Sequence, residues 1–278
     1  MTPEPDSASE PQPSFEERLQ SVREGIKLVA EAARPGVAES LKLARDALRS
    51  LDVAAAAGLR KVEQPPHVAG LYVIVDPAFC KGRDAVLVAE QALRGGASVI
   101  QWRDKQRDKG DQLLDLRALR QLCDRYVALL IVNDHIDLAI AAEAGGVHVG
   151  QHDLPVSAVR RIAPPGFVIG CSTNNPEEAR RAQADGADYV AVGRVFASTT
   201  KAGTRDASPD TVRAVKSAVT MPVVAIGGIT ADNVDQVIAA GADAASVITS
   251  VCEAEDVEEA ALIISKRFEM AADRMRQV

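Results

Sequence analysis

The sequence predicts an α/β fold, a (β/α)8 or TIM barrel carrying an N-terminal two-helix hairpin extension. From Leu71 onward, short apolar runs alternate with helical stretches, as expected when one helix connects each pair of parallel strands. Eight such units occur, which is the number that closes a barrel. Glycine-led repeats at Gly95, Gly145, Gly186 and Gly241 precede alternate strands. We expect each of these glycines to end a helix in the left-handed conformation.

The length and composition fit one barrel with an appendage. The 278 residues include 32 Lys and Arg against 39 Asp and Glu, a net charge of -7. No stretch combines clustered basic residues with aromatic ones, which argues against a nucleic-acid partner. The longest apolar run, Val127–Val132, is far shorter than the ~20 residues of a membrane span. Without a signal peptide, and with four widely spaced cysteines, the chain is expected to be cytoplasmic.

The N-terminal part is predicted to be separate from the barrel. Residues 1–14 are rich in Pro, Glu and Ser and are expected to be a disordered tail. Residues 15–66 carry two helical seams and a proline-containing linker, and residues 67–278 form the barrel. Because two helices bury too little area alone, the hairpin should dock on the barrel or on a second copy of the chain. We expect a stabilising or dimerising arm rather than a catalytic one, so a homo-oligomer is one expectation.

The predicted strands define where the site should lie. They are Leu71–Asp76, Ser98–Arg103, Ala128–Asn133, Gly146–Val149, Phe167–Cys171, Tyr189–Val192, Val223–Ile226 and Ala245–Ile248. Active sites of such barrels lie at the carboxyl ends of the strands. Polar residues at these ends are therefore the candidates for chemistry.

A cationic stripe ends the second predicted strand. The two-residue period puts Gln101, Arg103 and Lys105 on one face and Trp102 on the other. An amide, a guanidinium and an ammonium together suit a phosphate or a diphosphate. A solvated, charged strand end is the alternative interpretation of the same residues.

Two carboxylates follow the third and fourth predicted strands. Asp134 follows Asn133, and Asp153 lies in the segment after the fourth strand. Oxygen ligands of this kind suit Mg²⁺. Either aspartate could instead cap the helix that follows it. His148 lies in an apolar strand, where a hydrogen-bonded core histidine is the favoured interpretation over a catalytic one.

The later strand ends suggest a second anion site. Ser172 ends the fifth strand, and a long segment of hydroxyls and cations follows the sixth. Such a loop is usually functional or disordered. After the seventh and eighth strands, Gly228 and the pair Ile248-Thr249 lead into predicted helices, whose first N–H groups suit a phosphate monoester.

Residues 70–270 resemble the thiamine-phosphate synthase (thiamine-phosphate pyrophosphorylase) family. The matching motifs are Leu71-Tyr72-Val73-Ile74-Val75-Asp76, Gln101-x-Arg103-x-Lys105, Val132-Asn133-Asp134, Gly146-Val147-His148-Val149-Gly150-Gln151-x-Asp153, Thr200-Lys201, Ala225-Ile226-Gly227-Gly228-Ile229 and Ser246-Val247-Ile248. The family is a group of transferases that condense 4-amino-2-methyl-5-pyrimidinylmethyl diphosphate with a thiazole phosphate. The products are thiamine phosphate and pyrophosphate, and the substitution is dissociative and assisted by magnesium.

The resemblance also implies roles for individual residues. The pyrimidine diphosphate is implied to be held by Gln101, Arg103, Lys105 and Asn133. Mg²⁺ is implied to be bound by Asp134 and Asp153. Those implied to contact pyrophosphate are Ser172 and Lys201, and those facing the thiazole are Ser198 and Thr200. Those implied to hold the thiazole phosphate group are Gly228, Ile248 and Thr249. Arg103, Lys105, Ser172 and Lys201 are the implied catalytic set.

The chain departs from the family pattern in the segment after the sixth strand. The family usually has Gly-Pro followed by Pro-Thr-x-Thr-Lys, whereas this chain has Gly193-Arg194 and then Ala197 to Lys201. Thr249 replaces a common Ser, Asn174 replaces a common His, and Arg194 is an added cation with no assigned role.

Three alternatives remain at this level. A thiazole tautomerase of the same barrel would use a His, where this chain has Asn174, and would not need the diphosphate residues. Another phosphate-sugar barrel would leave the strand-two stripe unexplained. A non-catalytic phosphate-ligand-binding protein or scaffold would have little reason to keep both aspartates and both lysines.

Overall fold

A computed structural model of the protein describes residues 68–198 and 205–276. The chain divides into two units, Met1–Ala56 and Ala57–Val278. Every described residue belongs to the second unit. The predicted tail, hairpin and linker, residues 1–66, lie outside the described residues and stay predictions.

Eight strands alternate with helices along the described chain. The strands are β1 (Gly70–Val75), β2 (Ala97–Trp102), β3 (Leu129–Asn133), β4 (Gly146–Val149), β5 (Val168–Thr173), β6 (Tyr189–Val192), β7 (Val223–Ile226) and β8 (Ala244–Val247). The helices are α1 (Ala85–Arg94), α2 (Lys109–Tyr126), α3 (Ile136–Ala141), α4 (Val156–Ile162), α5 (Pro176–Ala184), α6 (Pro209–Lys216), α7 (Val234–Ala239), α8 (Thr249–Cys252) and α9 (Val257–Arg276). None of these helices has the length and apolarity needed to cross a bilayer.

The strands form a closed parallel barrel in chain order. Each strand pairs with the next, and β8 pairs back with β1, where Leu71 lies opposite Ala245. The predicted (β/α)8 barrel is therefore confirmed. Strand ends differ from the prediction by one or two residues: β5 continues to Thr173, and β8 ends before Ile248.

Helix starts are encoded locally. Asp84 accepts hydrogen bonds from Val86 N and Leu87 N at 2.8 and 3.2 Å at the start of α1. Ser208 accepts one from Thr211 N at 3.2 Å before α6. Such caps satisfy backbone donors that the first helical turn leaves unpaired.

Side chains alternate between the barrel lumen and the layer between strands and helices. The lumen cluster contains Val68, Tyr72, Ile74, Val99, Leu129, Ile131, Tyr189, Ala191, Val224 and Ala244. Gln101 bonds to Tyr72 in this lumen. Trp102 packs in the outer core, where its Nε1 donates to Gln112 Oε1 at 2.9 Å. The predicted opposite orientation of Gln101 and Trp102 is confirmed.

The glycine repeat marks left-handed helix ends at two of its four positions. Gly186 and Gly241 have φ angles of 95° and 91°, as predicted. The prediction is wrong at Gly95, whose φ is -75°, because Gly96 takes the left-handed conformation instead. It is also wrong at Gly145, which has no positive φ. Close packing explains these two glycines. An added Cβ would lie 2.4 Å from an α9 carbonyl oxygen at Gly95, and 2.5 Å from a β3 side chain at Gly145.

Candidate active site

A cavity of about 460 Å³ opens at the carboxyl ends of the strands. All eight strands, or the segments that directly follow them, contribute to its lining. The predicted site residues that border it are Gln101, Arg103, Asn133, Ser172, Ser198, Gly228, Ile248 and Thr249. Three others, Lys105, Asp134 and Asp153, lie outside its lining. Thr200 and Lys201 fall outside the described residues.

A chain of hydrogen bonds crosses the lumen among the residues that line the cavity. Gln101 Nε2 donates to the Tyr72 hydroxyl at 2.6 Å, and the Tyr72 and Tyr189 hydroxyls are 2.9 Å apart. His148 Nδ1 lies 3.0 Å from the Tyr189 hydroxyl, and its Nε2 lies 3.0 Å from Ser172 Oγ. Two predicted site residues, Gln101 and Ser172, are thus connected through three buried side chains.

The same chain explains His148 and the two tyrosines. His148 is buried and hydrogen-bonded through both ring nitrogens, as the favoured interpretation of a core histidine predicts. Burial raises the pKa of the Tyr72 and Tyr189 hydroxyls far above the ordinary value. Both phenols therefore stay neutral and keep their protons for hydrogen bonding.

Arg103 borders the cavity and forms an ion pair with Asp76. The Asp76 carboxylate is almost fully buried, and it also accepts a hydrogen bond from Ala78 N at 3.0 Å. The Arg103 backbone continues the barrel pairing beyond β2, because its N–H donates to Val75 O at 3.0 Å. Arg103 is therefore held at the cavity rim by two contacts, a backbone hydrogen bond to Val75 and a side-chain ion pair with Asp76.

Lys105 does not continue the stripe as predicted. Strand β2 ends at Trp102, so the two-residue period no longer sets the direction of a side chain three residues later. Lys105 instead forms an ion pair with Asp134 from the segment after β3. The pair brings a cation and a predicted metal ligand together beside the cavity.

The two predicted metal ligands lie in loops, and neither caps a helix. Asp134 has a φ of 62°, and its N–H donates to His148 O at 2.8 Å. Asp153 accepts a hydrogen bond from Gly150 N at 2.8 Å. The residues capping α3 and α4 are His135 and Pro155. The alternative interpretation of these aspartates as helix caps is wrong.

The two carboxylates are too few for a metal site closed by protein ligands alone, and they are compatible with a Mg²⁺ ion whose other ligands come from elsewhere. Over residues 68–198 and 205–276, no group of three or more His, Cys, Asp or Glu side chains is arranged to hold a metal. Mg²⁺ commonly uses one or two carboxylates, several waters and substrate phosphates. Asp134 and Asp153, in the loops that follow the adjacent strands β3 and β4, are two carboxylates of the type such a site uses.

The segment after β7, predicted to hold a phosphate group, differs from the prediction at Gly228. Helix α7 begins only at Val234, so Gly228 lies in a loop and not at a helix start. Gly227 and Gly228 have φ angles of 102° and 64°, a conformation that favours glycine. Asn233 Nδ2 holds this loop by donating to Gly228 O at 2.9 Å. Ile248 does lie at the start of a helical turn, as the N-cap residue of α8, and Thr249 is the first residue of that turn.

Several cavity residues escaped the sequence analysis. Tyr72, Tyr189 and Ser246 lie within strands, where their hydroxyls look like ordinary core substitutions. Ser246 is only 2% exposed and borders the cavity, and its Oγ has no hydrogen-bond partner within the described parts of the chain. The two-residue period of these strands could have placed the three side chains on the lumen face, where the cavity lies. Arg205 also borders the cavity.

Comparisons with known proteins agree on one family. The family model described as thiamine monophosphate synthase matches residues 71–251. A thiamine-phosphate synthase of Shouchella clausii is 46% identical over 203 residues, covering 73% of this chain and 97% of that protein. One of Methanoculleus marisnigri is 47% identical over 205 residues, covering 72% and 96%. The solved thiamine phosphate pyrophosphorylase of Pyrococcus furiosus has a TM-score of 0.68 and 37% identity, covering 73% of this chain and 96% of that one.

Proposed function

The chain belongs to the thiamine monophosphate synthase family, and from this premise we propose how its cavity carries out the reaction. The reaction is the condensation of 4-amino-2-methyl-5-pyrimidinylmethyl diphosphate with a thiazole phosphate. The bond between the methylene carbon and the diphosphate oxygen breaks, and its electron pair leaves with pyrophosphate. The thiazole nitrogen then donates its lone pair to the same carbon, which gives thiamine phosphate.

The diphosphate is proposed to bind at the β2 to β5 side of the cavity. Gln101, Arg103, Asn133 and Ser172 border the cavity there. Asp76 directs the Arg103 guanidinium, which suits bidentate contact with phosphate oxygens. Lys105 adds a second positive charge at the rim. Cations fixed in this way stabilise the negative charge that develops on the leaving group.

Mg²⁺ is the proposed cofactor, with Asp134 and Asp153 as its protein ligands. When bound, Mg²⁺ would neutralise charge on the diphosphate as it leaves. Asp134 is paired with Lys105, so the carboxylate and the ammonium would act on the same end of the substrate. The remaining metal ligands would be water and phosphate oxygens.

The thiazole phosphate is proposed to bind at the opposite side, near β6 to β8. Gly228, Ile248 and Thr249 border the cavity and would hold its phosphate through backbone and hydroxyl donors. Ser198 borders the same region and would face the thiazole ring. The resemblance assigns Thr200 to the thiazole and Lys201 to pyrophosphate.

The lumen would protect the reaction from water. Departure of pyrophosphate leaves a resonance-stabilised cation on the pyrimidine methylene carbon, which water could trap. Ile74, Ala191 and Val224 line the deep part of the cavity with apolar surface. Neither step requires proton abstraction by a tuned base, and Tyr72 and Tyr189 stay protonated because burial raises their pKa. Water exclusion and charge stabilisation are the protein's main contributions.

We also propose a cytoplasmic location, and self-association through the N-terminal hairpin. The sequence supports the first through its widely spaced cysteines and the second through the apolar seams of residues 15–66. Deleting residues 1–66 should leave the activity in place and change only assembly or stability. Light scattering of the full chain and of residues 67–278 would measure that difference.

The observation that carries the proposal is the convergence of eight predicted site residues on one cavity. The test is to incubate the purified protein with both substrates, with Mg²⁺ or with EDTA, and to measure thiamine phosphate by mass spectrometry. Product that forms only with metal supports the reaction and the metal together. Product that forms equally in EDTA contradicts the metal assignment. A folded protein that makes no product contradicts the proposed reaction.

A further inference from the structure

Arg194 joins the two described parts of the segment between β6 and α6, residues 193–198 and 205–208, which together are called the connection below. Its N–H donates to Arg205 O at 3.0 Å, and its carbonyl accepts from Ala207 N at 2.8 Å. Its guanidinium donates to Asp206 Oδ1 from Nε at 3.0 Å and from Nη2 at 2.5 Å. Its Nη1 donates to Ser198 O at 3.1 Å. One residue therefore holds both ends of the connection and also the backbone of Ser198.

The first end of the connection packs against the loop that follows β7, which contains Gly227 and Gly228. Val195 N donates to Ile226 O and Phe196 N donates to Gly227 O, each at 3.0 Å. The approach is close, because a Cβ at Gly228 would lie 2.5 Å from a carbonyl oxygen of the connection. A shift of Arg194 would therefore be transmitted to the proposed site of the thiazole phosphate.

The second end has its own anchor. Arg205 forms a bidentate ion pair with Glu178 of α5, with distances of 2.6 and 2.7 Å. Glu178 also accepts hydrogen bonds from Asn174 N at 2.8 Å and Asn175 Nδ2 at 2.9 Å. This anchor ties residue 205 to the end of β5. Arg194 and Asp206 connect that anchored end to the segment carrying Ser198.

We propose that Arg194 is a positioning residue for the thiazole phosphate, acting through Asp206 and the Ser198 carbonyl. The inference rests on the proposed function, because that function assigns Ser198 and Gly228 to this substrate. Arg194 borders the cavity, but its guanidinium is directed to Asp206 and Ser198. The Asp206 carboxylate compensates its charge. Its contribution is to hold the geometry of the connection, since two guanidinium donors on Asp206 Oδ1 and a third on the Ser198 carbonyl fix the orientation of the planar group as well as its distance.

A double-mutant cycle tests this role. The variants are Arg194→Ala, Asp206→Ala and the pair, each measured for KM with both substrates and, by calorimetry, for thiazole phosphate binding alone. Each single change should weaken thiazole phosphate binding about fivefold or more, and the double variant should be no weaker than the singles. The KM for the pyrimidine diphosphate should change less than about twofold. Arg194→Lys should not restore binding, because one ammonium cannot reproduce the planar fork of donors.

Arg160→Ala is the matched control. Arg160 makes a similar clasp, donating to Phe167 O at 2.8 Å and to Asp188 Oδ2 at 2.5 Å, and it does not border the cavity. Its loss should lower the thermal midpoint without changing either KM. If Arg194→Ala behaves like this control, Arg194 is merely structural and the inference is overturned.

The remaining outcomes separate the inference from the proposed function. If wild-type protein makes no thiamine phosphate, the proposed function fails and the inference falls with it. A second outcome is that the wild type is active and Arg194→Ala weakens thiazole phosphate binding by the same factor in the wild type and in the Asp206→Ala background. The guanidinium would then act on the substrate independently of Asp206, which overturns the inference. Asp206 is exposed, so its variant should fold even if Arg194→Ala does not. Unchanged thiazole phosphate binding in Asp206→Ala would then overturn the inference.

Discussion

Gly170→Ala should destabilise the barrel strongly, because the Tyr189 ring occupies the space that a side chain would need. A Cβ built at Gly170 would lie 2.0 Å from Tyr189 Cζ and 2.3 Å from its hydroxyl oxygen. Tyr189 is completely buried, and its hydroxyl lies 2.9 Å from that of Tyr72 and 3.0 Å from His148 Nδ1. The ring cannot move without breaking these contacts.

The expected loss of stability has three contributions. Overpacking a filled core costs about 1–3 kcal/mol. Each lost hydrogen bond of the Tyr189 hydroxyl adds about 0.5–1.5 kcal/mol. Alanine also restricts the unfolded chain more than glycine does, which stabilises the folded state by about 0.4–1 kcal/mol and offsets part of this loss. We therefore expect the free energy of unfolding to fall by roughly 1–6 kcal/mol for Gly170→Ala. Urea denaturation followed by circular dichroism measures this difference.

Gly110→Ala is the control for the same chemical change. Gly110 lies in the first turn of α2, and an added Cβ would meet no atom within 4 Å. Alanine is favoured over glycine in helices, so this variant should gain up to about 1 kcal/mol. A Gly170→Ala variant that loses less than about 1 kcal/mol would refute the packing argument. So would equal losses in both variants, since the two sites differ in the atoms an added Cβ would meet.

Further predictions concern the proposed metal and diphosphate residues, the buried Ser246 hydroxyl and the ion pair between Arg205 and Glu178. Asp134→Ala and Lys105→Ala should each lower kcat by at least about tenfold without changing the circular dichroism spectrum; wild-type turnover in either folded variant would contradict its assignment. Ser246→Ala should raise the KM of one of the two substrates by about 2–10-fold without lowering the free energy of unfolding, because within the described residues its Oγ has no hydrogen-bond partner to lose; a stability loss without a KM change would contradict a substrate contact. The hydrogen bond from Arg205 lowers the pKa of Glu178, so this carboxylate stabilises the fold above the ordinary glutamate pKa of about 4.3 and loses that effect as the pH falls through the lowered value. Glu178→Gln should therefore flatten the acid side of a plot of thermal midpoint against pH, and an unchanged acid limb would count against the pair.

The sequence alone determined the barrel and much of the cavity rim. Alternating runs of period two and period 3.6 indicate strand and helix directly, and the barrel rule then assigns the strand ends to one face. Gln101 and Arg103 could be predicted in this way because they lie within or directly after β2. Lys105 could not, because the period stops with the strand.

Which polar groups come together depends on closure of the barrel and on loop packing. Tyr72 and Tyr189 lie 117 residues apart in the chain, and their hydroxyls meet because opposite walls of a closed barrel share one lumen. Ion pairing of Lys105 with Asp134, and of Arg194 with Asp206, depends on how loops pack over the strand ends. Local periodicity carries no information about such contacts, since they depend on the distance between chain segments after closure.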